Sequence, residues 1–259
     1  MDLGRPTSAG EGMVESADEV ETQRLTGRAN MSDKHAPLGL MGLRLASVST
    51  HILALALLVS LAMTLKTYLS PDKPLLKWRT FPLHSFLMVL AFGFLSPIGA
   101  AAWRSYETVL GVSHGAVKVV HGVLMTSALV VGTLGVINMW LVHEDGAAAQ
   151  IAKGWSVHFQ SAHSYVGFAV LLMFAAQALG GTTAFVLPTT GSARRARLVE
   201  PHRIFGMLSA QQAAMIAIIT GILSLAGRGD NVADKDLAFK AAAMLALALA
   251  VALGLVLRR

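Results

Sequence analysis

Apolar stretches free of Asp, Glu, Lys and Arg recur six times along the chain, separated by short polar segments. Leu45–Leu65, Thr80–Trp103, Val119–Val142, Ile204–Gly227 and Ala241–Leu257 each approach or exceed the roughly 20 apolar residues that a spanning helix needs. The last is short, and Leu237–Phe239 extends it if Lys240 snorkels toward the interface. The sixth stretch, Gly154–Ala193, is too long for one span. Its turn-rich end (Gly180, Gly181, Thr182, Thr183, then Pro188) predicts a helix from about Val157 to Leu179 followed by a loop. The pattern predicts an all-α, multi-pass membrane protein with six transmembrane helices.

Composition sharpens this picture. The chain is 54% hydrophobic and 14% charged over 259 residues, a balance that a water-soluble domain of this size would hardly show. Without cysteine there is no disulfide, thiolate ligand, iron–sulfur cluster or covalently attached haem. The net charge of +6 sits in short loops, so it reads as membrane topology and contact with anionic lipid headgroups of the bilayer, not nucleic acid binding.

Residues 1–42 are mixed in charge and lack a sustained apolar period, so they read as a disordered tail, with residues 43–259 forming the six-helix domain. Acidic residues in the tail argue against a mitochondrial transit peptide. Orientation follows the Lys and Arg count. The side of the termini collects Arg5, Arg24, Arg28, Lys34, Arg44, Arg104, Lys118, Arg194, Arg195, Arg197, Arg203, Arg258 and Arg259. The other side holds Lys66, Lys73, Lys77, Arg79, Lys153, Arg228, Lys235 and Lys240. Both termini are predicted to be cytoplasmic.

Ionisable groups inside a bilayer are costly and often mark function. Four histidines occur one per helix in helices two to five, each near the end at which the chain enters the membrane: His84, His121, His163 and His202. Alternating helix direction then puts His84 level with His163 near the outer face, and His121 level with His202 near the cytoplasmic face. Two facing imidazoles supply both axial positions of a haem iron, whereas a closed zinc site needs about four protein ligands. A lone histidine in a span is more often a packing residue; four at coordinated depth are not well explained that way. His51, on helix one, is left without a level partner and reads as a structural or haem-edge residue.

These residues resemble the cytochrome b561 family of transmembrane reductases. Phe81-Pro82-Leu83-His84-Ser85-Phe86-Leu87-Met88 is similar to the family's F-x-x-H-P-x-L-M segment, with Ser85 in place of the usual proline. Lys118-Val119-Val120-His121 resembles its K-x-x-H entry. His158-Phe159-Gln160-Ser161-Ala162-His163-Ser164-Tyr165-Val166-Gly167 fits H-F-x-S-x-H-S-x-x-G, the most specific match, and Arg197, Pro201, His202 and Gly206 resemble R-x-x-x-P-x-H-x-x-x-G, with Pro201 directly before His202. The likeness covers about Arg44 to Arg259 and looks most like the short branch without an extra N-terminal domain. It implies two haem b groups in a central bundle of helices two to five. It also implies single-electron transfer from cytoplasmic ascorbate to monodehydroascorbate or ferric chelates on the other side, and leaves a homodimer open.

Ascorbate is an anion, so its entry should be positive and close to the inner pair. Lys118 lies on the same helix face as His121, Arg197 lies just before His202, and Arg104 is a third candidate; Lys118 and Arg197 also match family positions. On the outer side the candidates are Lys77, Arg79, His143 and His158. His143 resembles a family histidine at that helix end tied to substrate or proton handling, and His titrates near neutral pH. His114 reads as solvated, the methionines Met88, Met125, Met173 and Met207 as packing residues, and Gly122, Gly135, Gly167 and Gly206 as points of close helix approach or room for a flat macrocycle. Two other functions compete: a haem subunit that serves a partner protein, and a histidine-lined metal transporter. The second is weakened because no Asp or Glu lies inside a span.

Overall fold

A computed structural model describes residues 39–72, 74–187, 191–226 and 233–257. Most of the predicted tail, with Arg5, Arg24, Arg28 and Lys34, lies outside the described residues, as do Lys73, Pro188, Arg228, Arg258 and Arg259.

Every regular element among the described residues is helical. The spans are α1 (Leu40–Tyr68), α2 (Phe81–Val109), α3 (His114–Asp145), α4 (Ala162–Val186) and α6 (Ala233–Leu257), all long and apolar enough to cross a bilayer. Between α4 and α6 runs α5, built of three abutting segments, Ser192–Phe205, Gly206–Gln212 and Ala213–Ala226. Its last part is predominantly apolar, whereas the first carries Arg194, Arg195, Arg197, Glu200 and Arg203. The chain is thus an all-α membrane protein with a six-helix bundle.

Helix entries follow local chemistry. Pro82 occupies the first turn of α2, where its missing N–H is no loss. Ser113 caps α3 by accepting from the Ala116 amide, and Ser161 caps α4 by accepting from the Ser164 amide. Because Ser161 takes that capping role, α4 begins at Ala162, five residues later than the apolar pattern suggests. At its other end the expected loop at Gly180–Thr183 is a correction: α4 runs on through a π-helical turn, Thr182–Val186. Thr183 bonds back to the Leu179 and Gly180 carbonyls, which lets a turn-rich sequence stay helical. In α2 a π-helical stretch, Val89–Leu95, comes just before Pro97, whose ring cannot donate to the ladder.

Ala46 of α1, Ala101 of α2 and Leu253 and Val256 of α6 pack together, so the start of α1 and the ends of α2 and α6 share one end of the bundle. This is called the terminal end below. The main core joins Leu57, Leu61 and Leu65 of α1, Ile218 and Ile222 of α5, and Phe239, Ala242, Ala246 and Leu249 of α6. Near the middle, the Phe92 and Phe174 rings meet edge to face at 5.3 Å, tying α2 to α4. His51 is absorbed by packing between α1 and α2: it contacts the Ser47 carbonyl at 2.8 Å and the Tyr106 hydroxyl at 3.0 Å.

Candidate functional site

The four central histidines sit where helix direction puts them. Near the terminal end, the rings of His121 on α3 and His202 on α5 lie 6.5 Å apart, centroid to centroid, at 75°. An imidazole nitrogen binds a first-row metal at about 2 Å, so this spacing leaves room for one metal centre between them. Toward the opposite end, His84 on α2 and His163 on α4 line one cavity of about 390 Å³. Its walls are mostly apolar and include Leu61, Val89, Phe92 and Ile218, which suits a flat hydrophobic group.

Two of the rings are oriented by backbone. The Nδ1 atom of His84 lies 2.9 Å from the carbonyl of Gly135 on α3, and Nδ1 of His121 lies 2.8 Å from the carbonyl of Gly99 on α2. A carbonyl oxygen only accepts, so each Nδ1 carries the proton and each Nε2 keeps its lone pair. That is the tautomer a metal-binding histidine needs, fixed by an outer partner as such ligands usually are. The bonds are reciprocal, each helix of the α2–α3 pair holding the other's histidine.

The α4–α5 pair is reciprocal in another way. A Cβ on Gly221 of α5 would stand 2.8 Å from Cε1 of His163, and one on Gly181 of α4 would stand 2.8 Å from Cε1 of His202. Each imidazole therefore packs on a bare backbone of its neighbour. Gln177 adds a bond from Nε2 to the His202 carbonyl at 2.6 Å. Gly122 and Gly167 face open space, while Gly206 lies against Gln177.

The donor set fits a haem better than a bare ion. Among the described residues no three His, Asp or Glu side chains converge on a point, and paired imidazoles with an apolar cavity match axial ligation. Met88 and Met125 pack with their methyl groups against Gly135 and Gly99, in gap-filling roles.

The predicted substrate residues divide. Lys118 donates from Nζ to the carbonyl of Phe185, whose ring meets His202 at 5.2 Å, so its charge is tied to the terminal-end pair. Arg104 is half-buried in the π-helical end of α2, and Arg197 is exposed on the first segment of α5. At the opposite end, His143 and His158 line the cavity of His84 and His163, with their rings 5.8 Å apart. Lys77 is exposed in the loop before α2. Arg79 holds a left-handed backbone (φ 58°) and pairs with Asp145 at 2.9 Å.

Sequence reasoning missed four elements of the site: the carbonyls of Gly99 and Gly135, and the bare backbones of Gly181 and Gly221. A signal for the first two was present. His84-Ser85-Phe86-Leu87-Met88 and His121-Gly122-Val123-Leu124-Met125 share an H-x-x-L-M pattern, and each helix carries its glycine about four turns further on.

Comparison with known proteins identifies the family of the chain. The family model described as eukaryotic cytochrome b561 matches residues 83–226, which hold all four histidines. The chain is 30% identical over 147 residues to transmembrane ascorbate ferrireductase 2 of Arabidopsis thaliana, covering 57% of this chain and 58% of that one. It is 26% identical over 145 residues to the transmembrane ascorbate-dependent reductase CYB561 of Ovis aries, covering 56% and 52%. It is 25% identical over 127 residues to the probable ascorbate-specific transmembrane electron transporter 1 of Oryza sativa subsp. japonica, covering 49% and 50%. The chain spans about half the length of the curated relatives it matches.

Proposed function

The chain belongs to the eukaryotic cytochrome b561 family, and we propose that it is a transmembrane oxidoreductase carrying single electrons from cytoplasmic ascorbate to monodehydroascorbate or ferric iron across the bilayer. His121 and His202 would hold one haem b at the terminal end, and His84 and His163 a second toward the opposite end. The observation that carries the reading is the stacking of two imidazole pairs at two depths, with both α2–α3 rings locked by backbone carbonyls in the metal-binding tautomer.

When bound, the haems supply the one-electron iron couple. The protein's own residues do the rest. Gly99 and Gly135 hold His121 and His84 in orientation, and Leu61, Val89 and Phe92 would give a haem in the cavity apolar walls. Lys118, with Arg104 and Arg197, would draw ascorbate to the terminal end, and the distribution of basic residues supports reading that end as the cytoplasmic one. His143 and His158, with Lys77 and Arg79 nearby in sequence or fold, would receive the acceptor at the opposite end.

The test is stopped-flow spectroscopy of the purified protein reconstituted in vesicles. Ascorbate should reduce two low-spin b-type centres, and monodehydroascorbate or a ferric chelate added on the other side should reoxidise them. A stable preparation without haem would sink the reading.

A further inference from the structure

Both ends of the bundle carry the same cluster outside the haem-holding pairs. On α2, Trp103 and Glu107 stand one turn apart on one helix face, and both reach His114, the first residue of α3. The Trp103 ring meets the His114 ring at 4.9 Å, and Nδ1 of His114 lies 3.1 Å from Oε1 of Glu107. On α3, Trp140 and Glu144 repeat that spacing, and both reach His158, in the segment entering α4. Here the rings stack at 3.6 Å and 15°, and Nε2 of His158 lies 2.8 Å from Oε1 of Glu144.

Each cluster adjoins an end of the electron path. Trp103 also meets the ring of His121 at 5.9 Å, so it stands between His114 and the terminal-end pair. Trp140 and His158 line the same cavity as His84 and His163. In each case the carboxylate binds one ring nitrogen and leaves the other out of that bond: Nε2 of His114, on a side chain that is largely exposed, and Nδ1 of His158, on a side chain that lines the cavity. A carboxylate accepting from one nitrogen fixes the tautomer and leaves the lone pair on the other nitrogen, where a proton can be exchanged.

We propose that the two Trp–His–Glu clusters are the proton ports of the electron path, His114 accepting the proton released by ascorbate and His158 donating one to the acceptor. The proposal rests on the electron-transfer reading above and deepens it. At the terminal end, an O–H bond of the ascorbate monoanion breaks. Its electron enters the path at the His121–His202 level, its proton goes to Nε2 of His114 and then to water, and monodehydroascorbate radical anion remains. At the opposite end, monodehydroascorbate radical anion gains one electron and takes the proton from Nδ1 of His158, giving ascorbate monoanion; His158 is recharged from water. Only the electron crosses the bilayer. An acceptor that takes up a proton with its electron uses this second port, whereas a ferric chelate does not need it. The geometry therefore favours the organic radical as the outer substrate.

The charged and titratable neighbours are defined. Lys118 stands one turn beyond His114 on the same face of α3, and Glu107 faces it from α2. His158 faces Glu144 and His143 on α3.

The experiment uses the full chain in vesicles, with His114→Gln and His158→Gln, which keep bulk and polarity but cannot carry the proton. H114Q should slow haem reduction by ascorbate about 100-fold, the lower range for loss of a general base, and should lose the solvent deuterium isotope effect. Its reduction by dithionite should match the wild type. H158Q should slow reoxidation by monodehydroascorbate comparably and remove its solvent deuterium isotope effect, and any slowing with a ferric chelate should be smaller and free of an isotope effect. Histidine ¹⁵N NMR should show the neutral rings protonated at Nδ1 in His114 and Nε2 in His158, and mixed tautomers in Glu107→Gln and Glu144→Gln. The proposal is overturned if either variant keeps its wild-type rate and isotope effect, if the proton-free reagents slow equally, or if the wild-type tautomers are mixed. Wild-type haem that ascorbate fails to reduce overturns the electron-transfer reading itself, and this proposal with it.

Discussion

His84 on α2 donates its Nδ1–H to the carbonyl of Gly135 on α3, at 2.9 Å. The bond needs the two backbones close together, and Gly135 makes that approach feasible. A Cβ there would stand 2.7 Å from Cε of Met88 and 3.2 Å from Cβ of Leu87. Gly135→Ala should push α3 off α2 and lengthen the bond. Loss of such an outer partner typically weakens metal binding about 10–100-fold. We expect weaker haem binding at the His84 level, or an upward shift of one midpoint potential, with the other level unchanged. Gly99→Ala, facing Cβ of Leu124 at 3.0 Å, should do the same at the His121 level. A redox titration followed by EPR distinguishes the two; unchanged potentials and haem content in both variants would refute the role of the bonds.

The α4–α5 glycines make a sharper pair of variants. Gly221→Ala puts a methyl group 2.8 Å from the ring of His163, and Gly181→Ala one 2.8 Å from the ring of His202. Backbone carries each methyl group, so the imidazole must move. Each variant should lose one haem of two, Gly221→Ala toward the opposite end and Gly181→Ala at the terminal end. Haem-to-protein ratio by pyridine haemochrome, with ascorbate reducibility to identify the surviving centre, reads the outcome.

The depth of the histidines was legible because helix direction alternates and each imidazole lies near the entry of its span. Burial in lipid leaves few other roles for such groups. What faces them was not legible. The carbonyl of Gly99 and the missing side chain of Gly221 act through backbone, which hydropathy does not register. Gly180-Gly181-Thr182-Thr183 read as a loop for the same reason. Its glycine serves the His202 ring and Thr183 satisfies helical carbonyls, so tertiary packing overrode local turn preference. The charged start of α5 is helical from Ser192, although no apolar period marks it. His114 read as solvated, and its side chain is indeed 73% exposed. Its contacts with Glu107 and Trp103 become visible only once α2 and α3 are placed side by side.

His121 and His51 separate ligand from packing residue. His121→Ala should remove the haem at the terminal end and abolish reduction by ascorbate. His51→Ala should retain both haems, because that ring is engaged with Ser47 and Tyr106. Its effect should be on stability, about 1–3 kcal/mol for a part-buried hydroxyl left unpaired. Difference spectra and thermal melts of the two variants provide the check, and loss of a haem in His51→Ala would contradict the assignment.

Lys118 reaches the Phe185 carbonyl and thereby sits beside the His202 ring. If its charge guides ascorbate, Lys118→Ala should raise the ascorbate concentration for half-maximal reduction severalfold while haem content stays the same. Added salt should narrow the gap, because screening weakens attraction between exposed charges. A variant with unchanged concentration dependence at low salt would remove Lys118 from the entry site.

Asn138 is a fully buried polar residue in the apolar run of α3. Its Oδ1 accepts from the Arg79 amide and its Nδ2 donates to the Thr80 carbonyl, both at 2.8 Å. Those two groups lie where the chain turns into α2, and Arg79 takes its left-handed backbone there. The Thr80 carbonyl also accepts from the amide of His84, so Asn138 fixes the turn from which that imidazole is presented. Asn138→Ala leaves the part-buried Arg79 amide and half of a shared carbonyl without partners and empties a fully buried site, at about 1–3 kcal/mol in all. The Arg79–Asp145 pair at the same turn is about half exposed, and Asp145→Asn should change stability by about 1 kcal/mol or less. A thermal melt should therefore rank Asn138→Ala well below Asp145→Asn. On heating, the spectrum of the haem at the His84 level should change before that of the other. Equal melting of the two variants would show that the turn is held by the ion pair and not by the buried amide.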